Sequence, residues 1–146
     1  MTRTGLWLIP VLLVALWPGR SPVAAQAPST ALDYETFKTK VQPILMAPRK
    51  GNARCQACHS AAGGGNSYLE PLPTGSTTYT EDQSRRNYER VTRLVVPGEP
   101  LKSLLLVNPL AQEAGGSHWH GGGKHWTTQN DPEWQALAAW VRGGRS

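Results

Sequence analysis

Cys55-Gln56-Ala57-Cys58-His59 is the stretch on which the fold turns. It has the form C-x-x-C-H, the pattern by which a chain carries a c-type haem. Two thiols three positions apart can add to the two vinyl groups of one porphyrin and form thioether bonds. The histidine that follows at once carries its imidazole under the ring, where it can bind the iron from one side. The spacing assigns Cys55 and Cys58 to covalent attachment of one haem c, and His59 to its proximal axial position. Other uses of a cysteine pair fit less well. A thioredoxin-like redox pair needs a βαβ context, and no strand pattern surrounds this one. A structural zinc site wants four ligands, usually two such pairs, and the chain has 2 cysteines in all. A disulfide across three positions closes a very small loop and constrains little.

Upstream of the motif, Asp33 is a good N-cap for a helix over residues 33–45, with Phe37, Val41, Ile44 and Leu45 on one face. Pro43 should kink or tighten its end. Residues 47–54 form a basic turn into the motif. Downstream, Gly63, Gly64 and Gly65 stop any long helix from continuing. Residues 66–79, with Pro71, Pro73 and Gly75, read as a loop. A second helix starts at Thr80: Thr80 and Gln83 have capping-box spacing, and Glu81 and Asp82 sit in the first turn. Tyr88, Val91, Leu94 and Val95 make its apolar face. Arg86, Arg90 and Arg93 share the opposite face, either as a solvated surface or as a docking patch for an acidic partner. Pro97-Gly98 ends this helix. Residues 100–107 suit a short third helix whose Leu104, Leu105, Leu106 and Val107 are expected to be buried, partly against the porphyrin. Residues 111–130 form a loop rich in Gly, His and Trp. The last helix opens with Asp131 as N-cap, then Pro132 and Glu133, and turns Trp134, Leu137, Ala138 and Val141 inward. No internal repeat and no second domain are visible.

The N-terminus reads as a secretory signal. Arg3 supplies positive charge, Leu6 to Trp17 form an apolar stretch of 12 residues interrupted by Pro10, and Val23-Ala24-Ala25 offers small residues to a peptidase. Cleavage is expected after Ala25, with residues 1–25 the signal, 26–32 a flexible leader and 33–146 the haem domain. The alternative, an uncleaved anchor, is disfavoured because a spanning helix needs about 20 apolar residues. No transmembrane span is expected in the mature chain. What remains is one small domain with a modest core, to which a flat apolar macrocycle would add substantially. The formal charge is +5, and losing Arg3 and Arg20 with the signal leaves +3. That balance is too weak to indicate nucleic acid.

The iron needs a sixth ligand or an open position. Met1 and Met46 are the only methionines and neither follows the motif, so a His/Met pair looks unavailable. Three histidines remain, His118, His120 and His125, all in the Gly-rich loop. His120 stands before Gly121-Gly122-Gly123, and glycines let a backbone pass close to a flat ring. His120 is the expected distal ligand, with His118 and His125 as alternatives. Trp119 and Trp126 are expected ring neighbours, with an indole N–H able to reach a propionate.

Taken in order, Val41-Gln42-Pro43-Ile44-Leu45, Cys55 to His59, Val96-Pro97-Gly98-Glu99-Pro100 with Ser103-Leu104-Leu105, His120-Gly121-Gly122-Gly123 and Trp140-Val141-Arg142-Gly143-Gly144 resemble the cytochrome c family. The resemblance is closest to the small planctomycete-type cytochrome c domains of exported bacterial proteins, and it spans about residues 33–144. It implies an all-α single-haem fold with first and last helices packed across each other and long Gly/Pro-rich loops. It also implies electron transfer as the activity. A histidine where many relatives place methionine implies a lower reduction potential.

The expected protein is a mono-haem c-type cytochrome with bis-His ligation, periplasmic or otherwise exported, an electron carrier rather than an enzyme. Its partners would be redox proteins, including a membrane-bound respiratory or photosynthetic complex. Two other classes fit the same residues: a haem-bearing subunit of a larger membrane or extracellular assembly, and a haem enzyme or gas sensor with an open or labile sixth site.

Overall fold

The structure is a computed structural model that describes residues 31–49, 51–60 and 67–143. The expected signal peptide and most of the leader, Gly63 to Gly65 and the last three residues lie outside these. Among the described residues there are helices and isolated bridges but no strands, so the fold is all-α. No helix there is long and apolar enough to cross a membrane.

Helix α1 runs over residues 34–46 in three parts, Tyr34–Thr36, a π-helical Phe37–Val41 and Gln42–Met46. Asp33 caps it, its carboxylate accepting from the Thr36 N–H at 2.7 Å. The expected disturbance from Pro43 takes the form of this π segment rather than an early end. Proline has no N–H to offer Thr39, and the turn before it widens so that Gln42 N–H reaches the Phe37 carbonyl. The Thr39 hydroxyl donates to the Glu35 carbonyl at 2.7 Å within the same stretch. Helix α2 is Cys55–His59. Helix α3, Glu81–Val91, begins with the full capping box and tightens at its end into a 3₁₀ turn, Thr92–Leu94. The third helix expected over 100–107 is divided into a 3₁₀ turn, Pro100–Lys102, and α4, Leu104–Val107. Ser103 sits between them, fully buried, its hydroxyl donating to the Glu99 carbonyl and accepting from the Val96 N–H. Helix α5 is Pro132–Val141, capped by Asp131.

The core is assembled where α1 and α5 meet. Phe37, Val41 and Leu45 of α1 pack with Trp134, Leu137, Trp140 and Val141 of α5, with Val91 of α3 and Leu106 of α4 beside them. Trp140 was not expected inward; its ring lies 5.6 Å from Phe37, and its indole N–H donates to the Asp33 carbonyl at 2.8 Å. The end of α5 is thereby tied to the start of α1. Leu32, at the end of the expected leader, is also held: it packs on the core and its carbonyl accepts from the Tyr88 hydroxyl at 2.6 Å.

One expectation needs correction. Leu104 is 51% exposed, because α4 turns only Leu106 fully into the protein. Two members of the arginine stripe are engaged within the chain: Arg86 and Arg90 lie 3.3 and 2.7 Å from the same Glu70 carboxylate. Both arginines stay partly exposed while paired.

Candidate functional site

Helix α2 is short because Ser60 leaves it in extended conformation, and its five residues carry both cysteines and His59 on little more than one turn. Ser60 then bridges in parallel to Leu69, with the Leu69 N–H donating to the His59 carbonyl at 2.9 Å. That bridge brings Tyr68 and Leu69 beside the motif; the Tyr68 ring centroid is 5.5 Å from that of His59. Next to them opens a cavity of about 470 Å³. Cys55, Cys58 and His59 line it together with Leu45, Tyr68 and Leu69; Val91, Leu94, Leu104 and Leu105; and Trp119, His120, Gly121, Gly122 and Trp126 from the Gly-rich loop. Protein interiors otherwise leave few voids larger than a water molecule. An apolar hollow of this volume with a few convergent polar groups is the form of a ligand or cofactor site.

The loop reaches the motif because its ends are pinched. Leu110 bridges in parallel to Trp126, Ala111 N–H donates to the Trp126 carbonyl at 2.8 Å, and His125 N–H donates to the Pro109 carbonyl at 2.7 Å. Gly123 turns the chain with φ of 84°, and a Cβ there would stand 2.2 Å from Asn52 Oδ1, so the turn requires glycine. His59 and His120 both line the cavity, their ring centroids 6.2 Å apart and their planes 19° from parallel. His120 Nδ1 lies 2.7 Å from the Gly123 carbonyl. A carbonyl only accepts, so Nδ1 carries the hydrogen and Nε2 keeps the lone pair that can bind a metal.

The other two loop histidines are placed differently. His118 is exposed and its ring meets Gln112 at 3.2 Å, away from the cavity. His125 is half-buried behind His120, 5.8 Å between ring centroids, and does not line the cavity. Its Nδ1 is buried without a partner among the described residues. Burial first, then the Arg49 charge, holds its pKa below the ordinary histidine value. Trp119 lines the cavity but is 76% exposed, at its rim. Trp126 is buried in the wall, and the expectation that its N–H is available to a bound group is corrected: the N–H donates to the Glu133 carboxylate at 3.1 Å. The same carboxylate pairs with Arg49, whose guanidinium lies 5.6 Å over the Trp126 ring and also donates to the Ile44 carbonyl at 3.1 Å. Met46 does not line the cavity.

The two thiols are not joined to each other. Burial pushes the Cys55 thiol above its usual pKa, outweighing the Arg49 charge nearby. A redox-active C-x-x-C pair works the other way, by a depressed thiol pKa.

The cavity wall contributed by Tyr68, Leu69, Asn108 and Pro109 was missed in the sequence. Tyr68-Leu69 is the one apolar pair in the loop over residues 66–79 that carries a bulky aromatic beside an aliphatic, which is a weak signal for burial. Comparison with protein-family models, curated proteins and solved structures finds no match to this chain.

Proposed function

We propose that this chain is an exported single-haem c-type cytochrome that passes single electrons between redox partner proteins. The observation that carries the proposal is the opposition of His59 and His120 across an apolar cavity that both cysteines also line. A metal–imidazole bond of about 2 Å plus a ring radius of about 1.1 Å, taken twice, comes to about 6.2 Å. The ring centroids of His59 and His120 stand at that same separation, 6.2 Å, which supports the reading that both imidazoles would serve one iron. The residues present fit the group that C-x-x-C-H implies: two thiols for the thioethers, two nitrogen donors for the axial positions and apolar walls for the macrocycle.

When bound, haem supplies a one-electron couple at its iron. The chain's own residues do the rest. Cys55 and Cys58 would tether the ring, and His59 and His120 would hold the iron from either side. The Nδ1 hydrogen bond from His120 to the Gly123 carbonyl fixes the ring orientation and raises the basicity of Nε2, as such outer contacts do at metal sites. Leu45, Leu69, Val91 and Leu105 keep water from the ring, which favours a stable electron carrier over substrate access to the metal. Cys58, exposed at the mouth of the cavity, would hold the ring where a partner protein could approach.

The test is the spectrum of the oxidised protein made in cells that attach c-type haem. A low-spin, bis-imidazole magnetic resonance signal is expected, lost in His120→Ala and retained in His118→Ala and His125→Ala. Mature protein that is colourless and lighter by the mass of haem would reject the proposal. A bis-imidazole signal unchanged in His120→Ala would reject the ligand assignment.

A further inference from the structure

Lys124 lies one residue past the glycine turn, with its ammonium folded inside the neck of the ligand loop. Nζ donates to the Asn108 carbonyl at 2.9 Å, to the Ser117 carbonyl and to the Ser117 hydroxyl at 3.2 Å. Asn108 ends α4 and lines the cavity; Ser117 lies three residues before His120. No carboxylate is within ion-pair distance of Lys124 among the described residues. The ammonium is therefore committed to backbone and hydroxyl oxygens, all in the segment that must hold His120 in place. The lysine carbonyl accepts from the Asn52 side chain at 3.4 Å, so the same residue also links the loop to the turn before the haem motif.

We propose that Lys124 is a positioning residue for the distal ligand: by pinning Asn108 and Ser117 it closes the loop and keeps His120 on the iron. The inference rests on the haem reading above. Three donations from one charged group exceed what the loop could recover from water, because Asn108 and Ser117 would have to open to be solvated. Without the pin, the loop should open more often and leave the sixth position free for an outside ligand.

The experiment is the rate at which carbon monoxide binds the reduced, haem-loaded full chain, followed by absorbance. Lys124→Met keeps the stem and removes the donors. It is expected to bind carbon monoxide about tenfold faster, equivalent to about 1.4 kcal/mol of loop closure. Lys124→Arg, which keeps a cationic donor, should remain within about twofold of the unaltered protein. Lys38→Met, which loses an exposed ion pair to Glu81 far from the loop, should lower stability without moving the rate. Should Lys124→Met fail to accumulate, Ser117→Ala removes one acceptor of Lys124 together with the hydroxyl's own donations to the Asn108 and Trp119 carbonyls, and is expected to raise the rate about threefold. Haem-loaded Lys124→Met, or Ser117→Ala in its place, binding carbon monoxide at the unaltered rate would overturn the proposal while leaving the haem reading intact. A rate raised equally in Lys38→Met would also overturn it, since general loosening would then suffice. An unaltered chain that carries no haem would overturn the haem reading, and this inference with it.

Discussion

Asn87 is completely buried in α3, and its carboxamide joins three segments. Its Nδ2 donates to Gln42 Oε1 of α1 at 3.3 Å, and its Oδ1 accepts from the Glu70 N–H at 2.7 Å. Gln42 in turn donates to the Ser84 hydroxyl at 3.0 Å. Glu70 follows Leu69, whose own N–H is bonded to His59, so Asn87 indirectly supports the wall beside the motif. Replacing Asn87 by alanine strands one acceptor and one backbone donor in the interior. Each unsatisfied group costs about 1–3 kcal/mol, giving about 2–6 kcal/mol in total. That is a large share of the roughly 5–15 kcal/mol that holds a domain together. At about 4 °C per kcal/mol for a domain of this size, Tm should fall by about 8–24 °C. Thermal unfolding of the haem-loaded protein followed by far-ultraviolet circular dichroism reads it directly. Asn87→Leu separates the causes, because it refills the volume but restores no hydrogen bond, and it should be nearly as destabilised as the alanine variant. A fall below about 4 °C in Asn87→Ala, or recovery of most of the stability in Asn87→Leu, would refute the reasoning.

A Cβ on Gly116 would stand 1.9 Å from the Leu110 carbonyl oxygen, a backbone atom at the neck of the ligand loop. Gly116→Ala should therefore force the loop apart, and a loss of the bis-imidazole spectrum at unchanged haem content is the expected reading. Trp140→Phe keeps an aromatic ring against Phe37 but loses the N–H donated to Asp33, and should cost about 1–2 kcal/mol in denaturant unfolding. Hydrogen bonds from Lys38 and then Tyr34 hold the Glu81 carboxyl below the usual carboxylate range. The folded state thus binds this proton less readily than the unfolded chain. The contribution is present above about pH 4.3 and is lost as pH falls through the lower folded value. Glu81→Gln should flatten that part of the acid-unfolding profile, and an unchanged profile in the variant would show that other carboxylates govern it.

Asp33, the Thr80–Gln83 capping box and Asp131-Pro132 were all legible in the chain, because a cap needs only residues two or three positions apart. The C-x-x-C-H motif is local in the same way: a single helical turn brings its thiols and imidazole to one cavity, whatever surrounds them. The choice among His118, His120 and His125 is different in kind. All three have similar neighbours in sequence, and what sets His120 facing His59 is the pinching of Pro109, Leu110 and Ala111 against His125 and Trp126. The inward turn of Trp140, the diversion of Trp126 to Glu133 and the use of two stripe arginines on Glu70 have the same origin. Trp140 and the arginines depend on partners far along the chain, and Trp126 on a carboxylate across the turn into α5; residue pattern records which face is apolar but not which group will meet it. Caps and motifs follow from chain geometry over a few bonds; the opposition of two imidazoles across a cavity follows only from the packing of segments about sixty residues apart.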